Sequence, residues 1–299
     1  MILAAIDIGS NAVRLQVTNV IRYGDSTTFK KLQFIRFPLR LGTDVFSINR
    51  ISDQRCEDFV NLMSAFKTMI DLYRVDEYFA CATSAMRESD NGRELVERVK
   101  QECGLEINII SGDEEAEMIN RVISYHLGDG SWLHVDVGGG STELNVYQGS
   151  RKVTAHSFPI GSVRMLRDKD RKLAWEDLYN WVDENVPKDE EILAIGTGGN
   201  INKLFELVSG IKGEFISLKK LEICLKDLKK MDYEERMHKL QMNADRADVI
   251  IPASGIYINT MKRAGAQKIL VPDVGLKDGI IAYLYEKNAT HKGLFSFKN

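Results

Sequence analysis

One short pattern occurs twice in this chain: Asp7-Ile8-Gly9-Ser10-Asn11 running into Arg14-Leu15-Gln16-Val17, and Asp136-Val137-Gly138-Gly139-Gly140 running into Glu143-Leu144-Asn145-Val146. In register, Asp7 falls on Asp136, Gly9 on Gly138, Leu15 on Leu144 and Val17 on Val146. Each copy reads as an apolar strand ending in a carboxylate, a tight turn of glycine and small polar residues, and an alternating strand. Such a turn leaves a row of backbone N–H groups for an anion, and two turns facing one another hold a phosphate chain from both sides. An aspartate beside that anion repels it unless a cation lies between them, so Asp7 and Asp136 imply a divalent ion. One such turn alone is an ordinary hairpin; the repetition of acid, glycine and both apolar positions points to function.

With 299 residues the chain is long enough for two domains, each burying its own core. Its 40 basic and 43 acidic residues nearly balance, which argues against a general nucleic-acid or membrane-surface binder. Any polyanion must therefore be held by local groups. No apolar run reaches the ~18 residues of a membrane span, and the first residues lead straight into the first motif without a basic region or cleavage site. The expected location is the cytoplasm. Cys56, Cys81, Cys103 and Cys224 show no C-x-x-C spacing and read as buried, reduced thiols. The histidines form no ligand set, and His134, in an apolar strand, reads as a satisfied core histidine.

Strands are expected at 2–7, 14–20, 28–36 and 39–41, broken at Tyr23-Gly24-Asp25 and at Pro38. A helix capped by Ser52 follows, with Phe59, Met63, Phe66 and Ile70 at helical spacing. Then come a strand at 78–82, a helix at 93–103, a strand at 107–110 and a helix at 111–127, before Gly128-Asp129-Gly130 breaks the chain. The second half restarts with strand, turn and strand at Trp132. It continues with a strand at 192–195, a helix from Asn200, a charged helix at 217–240, a helix at 249–263, a strand at 268–271 and a last helix from Leu276. Three strands followed by alternating helix and strand, done twice, describe an α/β fold with an internal duplication. The expected domains are 1–127 and 128–299, with the last helix a candidate to pack back on the first.

Glu115 stands out as a general base. Ser111 and Glu114 form a capping box that starts a helix, and on the helical wheel Glu115 shares a face with Met118, Ile119 and Val122, while Asp113, Glu114 and Glu117 point elsewhere. An acid inside an inward stripe is unusual; the alternative is that it complements the positive helix terminus at its solvent edge. Glu143 lies on the returning strand, on the side opposite Leu144, where with Asp7 and Asp136 it completes an oxygen-rich site for Mg2+ or Mn2+. Gly138, Gly139 and Gly140 allow close backbone approach, and Ser141 and Thr142 add hydroxyl donors. Gly9, Ser10 and Asn11 are their counterparts. Arg87 follows a strand and Thr83-Ser84-Ala85-Met86; its planar fork suits a phosphoryl oxygen, though from the sequence alone an arginine there is more often a surface residue. The cluster Gly196-Thr197-Gly198-Gly199-Asn200 lies between strand and helix, where α/β folds bind phosphate or ribose.

Together the Asp7–Asn11 turn, Ala82-Thr83-Ser84-Ala85-Met86-Arg87, Ser111-Gly112-Asp113-Glu114-Glu115-Ala116, the segment from Asp136 to Leu144, and Gly196-Thr197-Gly198-Gly199 resemble the exopolyphosphatase and guanosine pentaphosphate phosphohydrolase family. That family sits in the superfamily of actin, sugar kinases and heat-shock ATPases, and the resemblance runs from about residue 5 to 285. It implies duplicated actin-like, ribonuclease H-like domains with the active site in the cleft between them. It also implies a short two-domain member, a homodimer, and a part in the stringent response. By the resemblance, Glu115 activates the attacking water, Asp136 and Glu143 serve catalysis through Mg2+, and Arg87 contacts phosphate. The Gly196, Gly198 and Gly199 loop would cradle a distal stretch of the phosphate chain. Two segments depart from the family pattern. Gly275-Leu276-Lys277-Asp278-Gly279 carries lysine and aspartate in place of arginine and glutamate, and Leu41-Gly42-Thr43-Asp44 lacks a second glycine.

The expected activity is metal-dependent release of the terminal phosphate from inorganic polyphosphate, with guanosine pentaphosphate the alternative substrate. Lys203, Arg246, Lys262, Arg263 and Lys277 are expected to grip a long chain. A sugar- or acetate-type kinase would use the same turns but needs an acceptor pocket. A non-catalytic nucleotide or alarmone binder, or an actin-like assembly protein, is the remaining class.

Overall fold

The computed structural model describes residues 1–24, 26–167, 171–208 and 214–291. Asp25, expected in the first strand break, lies outside the described residues. The chain divides into two compact units: Met1–Val122 with the segment from Gly275 onward, and Ile123–Val274. The division falls a few residues before the expected one, and the C-terminal segment belongs to the first unit.

In chain order the first unit carries β1 (Ile2–Ile8), β2 (Val13–Tyr23), β3 (Ser26–Phe37), α1 (Leu41–Ile48), α2 (Asp53–Leu72), β4 (Glu77–Ala82), α3 (Ser84–Glu88), α4 (Gly92–Cys103), β5 (Ile107–Ile109) and α5 (Gly112–Ile123). The second carries β6 (Ser131–Val137), β7 (Thr142–Gln148), β8 (Arg151–Phe158), α6 (Arg164–Arg167), α7 (Lys172–Asn185), β9 (Ile192–Thr197), α8 (Gly199–Val208), β10 (Phe215–Ser217), α9 (Leu218–Lys230), α10 (Tyr233–Lys239), α11 (Ala244–Ala247), α12 (Ile250–Ala264) and β11 (Lys268–Leu270). Then α13 (Leu276–His291) returns to the first unit.

The sheet orders are β3-β2-β1-β4-β5 and β10-β11-β9-β6-β7-β8. In each, three antiparallel strands are followed by parallel neighbours of the first strand, β4 beside β1 and β9 beside β6. The duplication reaches to single residues. The β2–β3 ladder shifts register between Val17 and Thr18, and the β7–β8 ladder between Val146 and Tyr147, the same place in each copy. Leu3, Ala4, Ala5 and Ile6 are all fully buried, as are Leu133, His134 and Val135, so both central strands are covered on both faces.

Several local expectations change. The 39–41 strand is absent: Pro38 removes a donor, Leu39 N–H turns back to Phe37 C=O at 3.0 Å, and a helix starts at Leu41. Ser52 occupies the N-cap position of α2, but its hydroxyl donates to Asp44 Oδ2 at 2.6 Å instead of capping. The expected 217–240 helix is two helices, because Asp232 and Glu235 form a capping box that restarts the chain as α10. The helix expected to reach 127 ends at Ile123 and tightens into a 3-10 turn at Ser124–His126. The short β10 and the helix α7 are further elements. No described helix is long and apolar enough to cross a membrane.

Candidate active site

Both turns close the same way. Gly9 N–H donates to Ala12 C=O at 3.1 Å, and Gly138 N–H to Ser141 C=O at 2.9 Å. These two amides are therefore spent inside the turn, and Gly9 and Gly138 do not present their N–H groups to an anion as expected.

The turn carbonyls are held from one side. Ser10 C=O accepts from Gly42 N–H at 2.8 Å and Asn11 C=O from Arg40 N–H at 3.1 Å. In the second copy Gly138 C=O accepts from Ser162 N–H at 2.9 Å, Gly139 C=O from Val163 and Arg164 N–H at 2.9 and 3.0 Å, and Gly140 C=O from Arg164 Nε at 2.6 Å. All described peptides are trans, so each N–H points opposite to the preceding C=O. The amides of Gly139, Gly140 and Ser141 therefore face away from the 162–164 segment, and those of Asn11 and Ala12 face away from the 40–42 segment in the first unit. The clamps are themselves duplicated, for Leu39 N–H bonds Phe37 C=O at 3.0 Å just as Ile160 N–H bonds Phe158 C=O at 2.7 Å. The repeated tripeptides Phe37-Pro38-Leu39 and Phe158-Pro159-Ile160 carry that signal in the sequence.

Thr142, expected as a phosphate donor, instead gives its buried hydroxyl to Ile160 C=O at 2.6 Å and so secures the clamp. Ser10 is likewise buried, with Oγ 2.9 Å from Ser84 Oγ, which ties the first turn to the start of α3. Gly161 has no room for a side chain: a Cβ there would stand 2.4 Å from Gly139 O.

Asp136 and Glu143 are direct cross-strand partners on β6 and β7. Glu143 is buried and accepts from Ser157 Oγ at 2.9 Å. Like charges directly opposite one another destabilise a sheet, and two hard oxygen donors side by side suit a divalent cation. The first copy differs at this point. Arg14 takes the place of Glu143, and its Nη1 lies 2.7 Å from Oδ2 of the buried Asp7. Asp7, expected as a metal ligand, is thus paired with a cation from its own unit. Among the described residues no group of three or more His, Cys, Asp or Glu gathers at metal-binding spacing.

Glu115 sits half-buried in the first turn of α5, while Asp113, Glu114 and Glu117 are exposed. The capping box is reciprocal: Ser111 N–H donates to Glu114 Oε2 at 2.7 Å and Glu114 N–H to Ser111 Oγ at 3.2 Å. That hydrogen bonding holds the Glu114 carboxyl below its usual range. Burial first, then the charges of Asp7 and Glu115, push the Cys81 thiol well above its usual range. Both carboxylates therefore lie within electrostatic reach of Cys81, at the end of β4 where Cys81 is registered with Asp7. Gly279 of α13 packs so closely on α5 that a Cβ would stand 2.1 Å from Met118 O. Arg87 donates through Nη1 to Ile110 C=O at 2.6 Å and lines a groove of about 890 Å³ with Ser111, Glu114 and Arg93.

In the third loop Gly198 has φ +103, and a Cβ there would stand 3.0 Å from Asp136 Oδ1. Gly199 lies against Arg246, whose Nη2 is 2.8 Å from a Cβ built there. Gly196 serves packing, since its Cβ would strike Ile269 and Ile201. The expected row of basic residues breaks up. Lys262 pairs with Glu222 at 2.5 Å and Arg263 with Asp183. Both line a surface groove with Ile192, the start of β9, at the opposite end of that strand from Gly198. Lys203 pairs with Glu206 at 3.1 Å. Lys277 belongs to the first unit, pairs with Asp278 at 2.5 Å and lies over the Phe34 ring. Asp278 in turn accepts from Gln16 Nε2 at 3.1 Å and Gly275 N–H at 3.0 Å, so both residues serve the start of α13.

His134 is the satisfied core residue expected. Asn145 Nδ2 lies 2.8 Å from its Nδ1, and its Nε2 lies 2.8 Å from Thr197 Oγ1. Burial pushes its pKa down to about 3.

Two α/β units, each built around a strand, a glycine hairpin and a returning strand, define a protein of duplicated fold. The chain belongs to the Ppx/GppA phosphatase family, which it matches over residues 20–288. It is similar to exopolyphosphatase 1 of Mycobacterium tuberculosis, at 23% identity over 94% of this chain and 87% of the relative. It is also similar to the guanosine-5'-triphosphate,3'-diphosphate pyrophosphatase of Aliivibrio fischeri, at 27% identity over 93% of this chain and 58% of the relative. With the bifunctional 3-dehydroquinate synthase/phosphatase of Fusobacterium nucleatum it shares 34% identity over 63% of this chain, but spans only 29% of that protein. The crystal structure of the Aquifex aeolicus Ppx/GppA family member superposes with a TM-score of 0.76 at 27% identity, covering 96% of this chain and 98% of that one.

Proposed function

We propose that this protein is a cytoplasmic phosphohydrolase that uses Mg2+ or Mn2+ to release the terminal phosphate of inorganic polyphosphate. The observation that carries the reading is the acid pair Asp136–Glu143 beside the amide nest of Gly139, Gly140 and Ser141, at the place where the first copy neutralises its aspartate with Arg14. Two carboxylates there suit one hard cation.

In this reading the Glu115 carboxylate accepts a proton from the attacking water, whose oxygen bonds to the terminal phosphorus as the anhydride P–O bond breaks. The turn amides bind phosphoryl oxygens, and Arg87 offers further donors to them. A divalent ion held by Asp136 and Glu143 would supply charge neutralisation to the chain when bound.

Guanosine pentaphosphate is the second reading, favoured by the similarity to a guanosine-5'-triphosphate,3'-diphosphate pyrophosphatase over 93% of this chain. Phosphate release from polyphosphates of several lengths, guanosine pentaphosphate and ATP, with and without chelator, tests both. Turnover of polyphosphate that stops on chelation supports the first reading. Turnover confined to guanosine pentaphosphate overturns it in favour of the second, and turnover of neither rejects both.

A further inference from the structure

Tyr257 lies midway along α12 and is fully buried. Its hydroxyl accepts from Val137 N–H at 3.2 Å and donates to Thr197 C=O at 2.5 Å. Val137 ends β6 just before the Gly138 turn, and Thr197 ends β9 just before Gly198. These strands run parallel with Asp136 registered beside Thr197. Val137 N–H and Thr197 C=O are thus the donor and acceptor at the last rung of that parallel ladder. One phenol oxygen bonds to both, where each strand gives way to its glycine turn.

The space around that oxygen is filled. A Cβ at Gly198 would stand 3.5 Å from the hydroxyl and 3.0 Å from Asp136 Oδ1. The phenol, the Asp136 carboxylate and the start of both turns therefore pack against one another inside the second unit. Thr197 is fixed twice, by its carbonyl on Tyr257 and by its hydroxyl on His134.

We propose that Tyr257 is a positioning residue for ligand binding in the second unit: its hydroxyl ties together the strand ends that lead into the Gly138–Gly140 and Gly198–Gly199 turns, and so fixes both turns and the direction of the Asp136 carboxylate between them. The identity of the ligands, a divalent cation and a phosphate chain, rests on the function proposed above; the tie does not. The hydroxyl stays protonated beside the two acids, because burial first, then the charges of Asp136 and Glu143, push it well above its usual range. It adds no negative charge where a cation is to bind, and it remains a donor to Thr197.

Replacing Tyr257 by phenylalanine keeps the ring and removes one oxygen. Val137 N–H and Thr197 C=O then each lose a hydrogen-bond partner in the interior, and the two strand ends lose their shared tie. Ile256→Val, also in α12, serves as a control that loosens the core without touching the turns. Mn2+ binding to each resting protein is measured by electron paramagnetic resonance, and KM and kcat are measured with inorganic triphosphate. In folded Tyr257→Phe the Mn2+ dissociation constant is expected to rise by about fivefold or more and KM to rise more than kcat falls, while Ile256→Val leaves both near wild type. Unchanged Mn2+ affinity and KM in Tyr257→Phe would overturn the proposal, and so would equal losses in both variants. If the wild-type protein binds no Mn2+ and turns over nothing, the functional reading fails on its own account. Calorimetric binding of inorganic phosphate to wild type and Tyr257→Phe then decides the positioning role: a several-fold loss upholds it, while equal affinity, or no binding by either protein, rejects it.

Discussion

Glu143 stands directly across the β6–β7 ladder from Asp136, at the position where Arg14 stands across from Asp7 in the first copy. One duplicated frame thus carries a self-neutralised pair and an acid pair. Asp136→Asn and Glu143→Gln are each expected to raise the Mg2+ concentration for half-maximal activity by about tenfold or more, the scale of one charged ligand contact. Activity that survives chelation unchanged in the wild-type protein would rule the metal out.

Glu115 is expected to act on proton transfer and not on binding. Glu115→Gln keeps the shape of the first turn of α5 and the Ser111–Glu114 capping box. Turnover should fall by about 100-fold or more with KM little changed. Near-normal kcat in that variant would remove Glu115 from the mechanism.

The features legible in the sequence are those set by nearest neighbours. The alternation and glycines of the two turns, and the Ser111–Glu114 box that places Glu115, are local patterns with local causes. The direction of the turn amides was legible only in part, because the bond that spends Gly138 N–H on Ser141 C=O depends on how the hairpin closes. Lys262 and Arg263 look suitable for a phosphate chain from their charge, yet the end of α12 they occupy places them by the start of β9. Nothing near Tyr257 in the chain marks it. Its partners Val137 and Thr197 are distant in sequence, and its role arises only once β6 and β9 run side by side.

Gly161 offers a test of how the second turn is held. Its backbone presses on the Gly139–Gly140 peptide, so Gly161→Ala must push the nest or the clamp outward to clear the 2.4 Å contact with Gly139 O. Overpacking of this kind typically costs about 1–3 kcal/mol. A lowered melting temperature together with a raised KM for polyphosphate is expected. By contrast Gly149, with φ +56 and nothing within 4 Å of a built Cβ, should affect stability alone when replaced by alanine. A Gly161→Ala protein with wild-type KM would show that the clamp does not set the nest.

His134 ties the stability of the second unit to pH. Asn145 Nδ2 is a donor, so Nδ1 of His134 accepts and the single ring proton sits on Nε2, directed at Thr197 Oγ1. A second proton on Nδ1 would face the Asn145 amide hydrogens in a fully buried site. Burial accordingly holds the folded pKa at about 3, against the ordinary value of 6.5. As pH falls below 6.5 the unfolded chain takes up the proton first, so the stabilisation is complete above that value and is lost progressively toward pH 3. At pH 5 the loss from this one group is about 2 kcal/mol. His126, also pushed down by burial, contributes with the same sign. Urea unfolding between pH 7 and pH 5 should show this decline with net proton uptake on unfolding, and His134→Gln, though less stable at pH 7, should show a flatter profile. Identical slopes in the two proteins would mean that His134 is not the group that titrates.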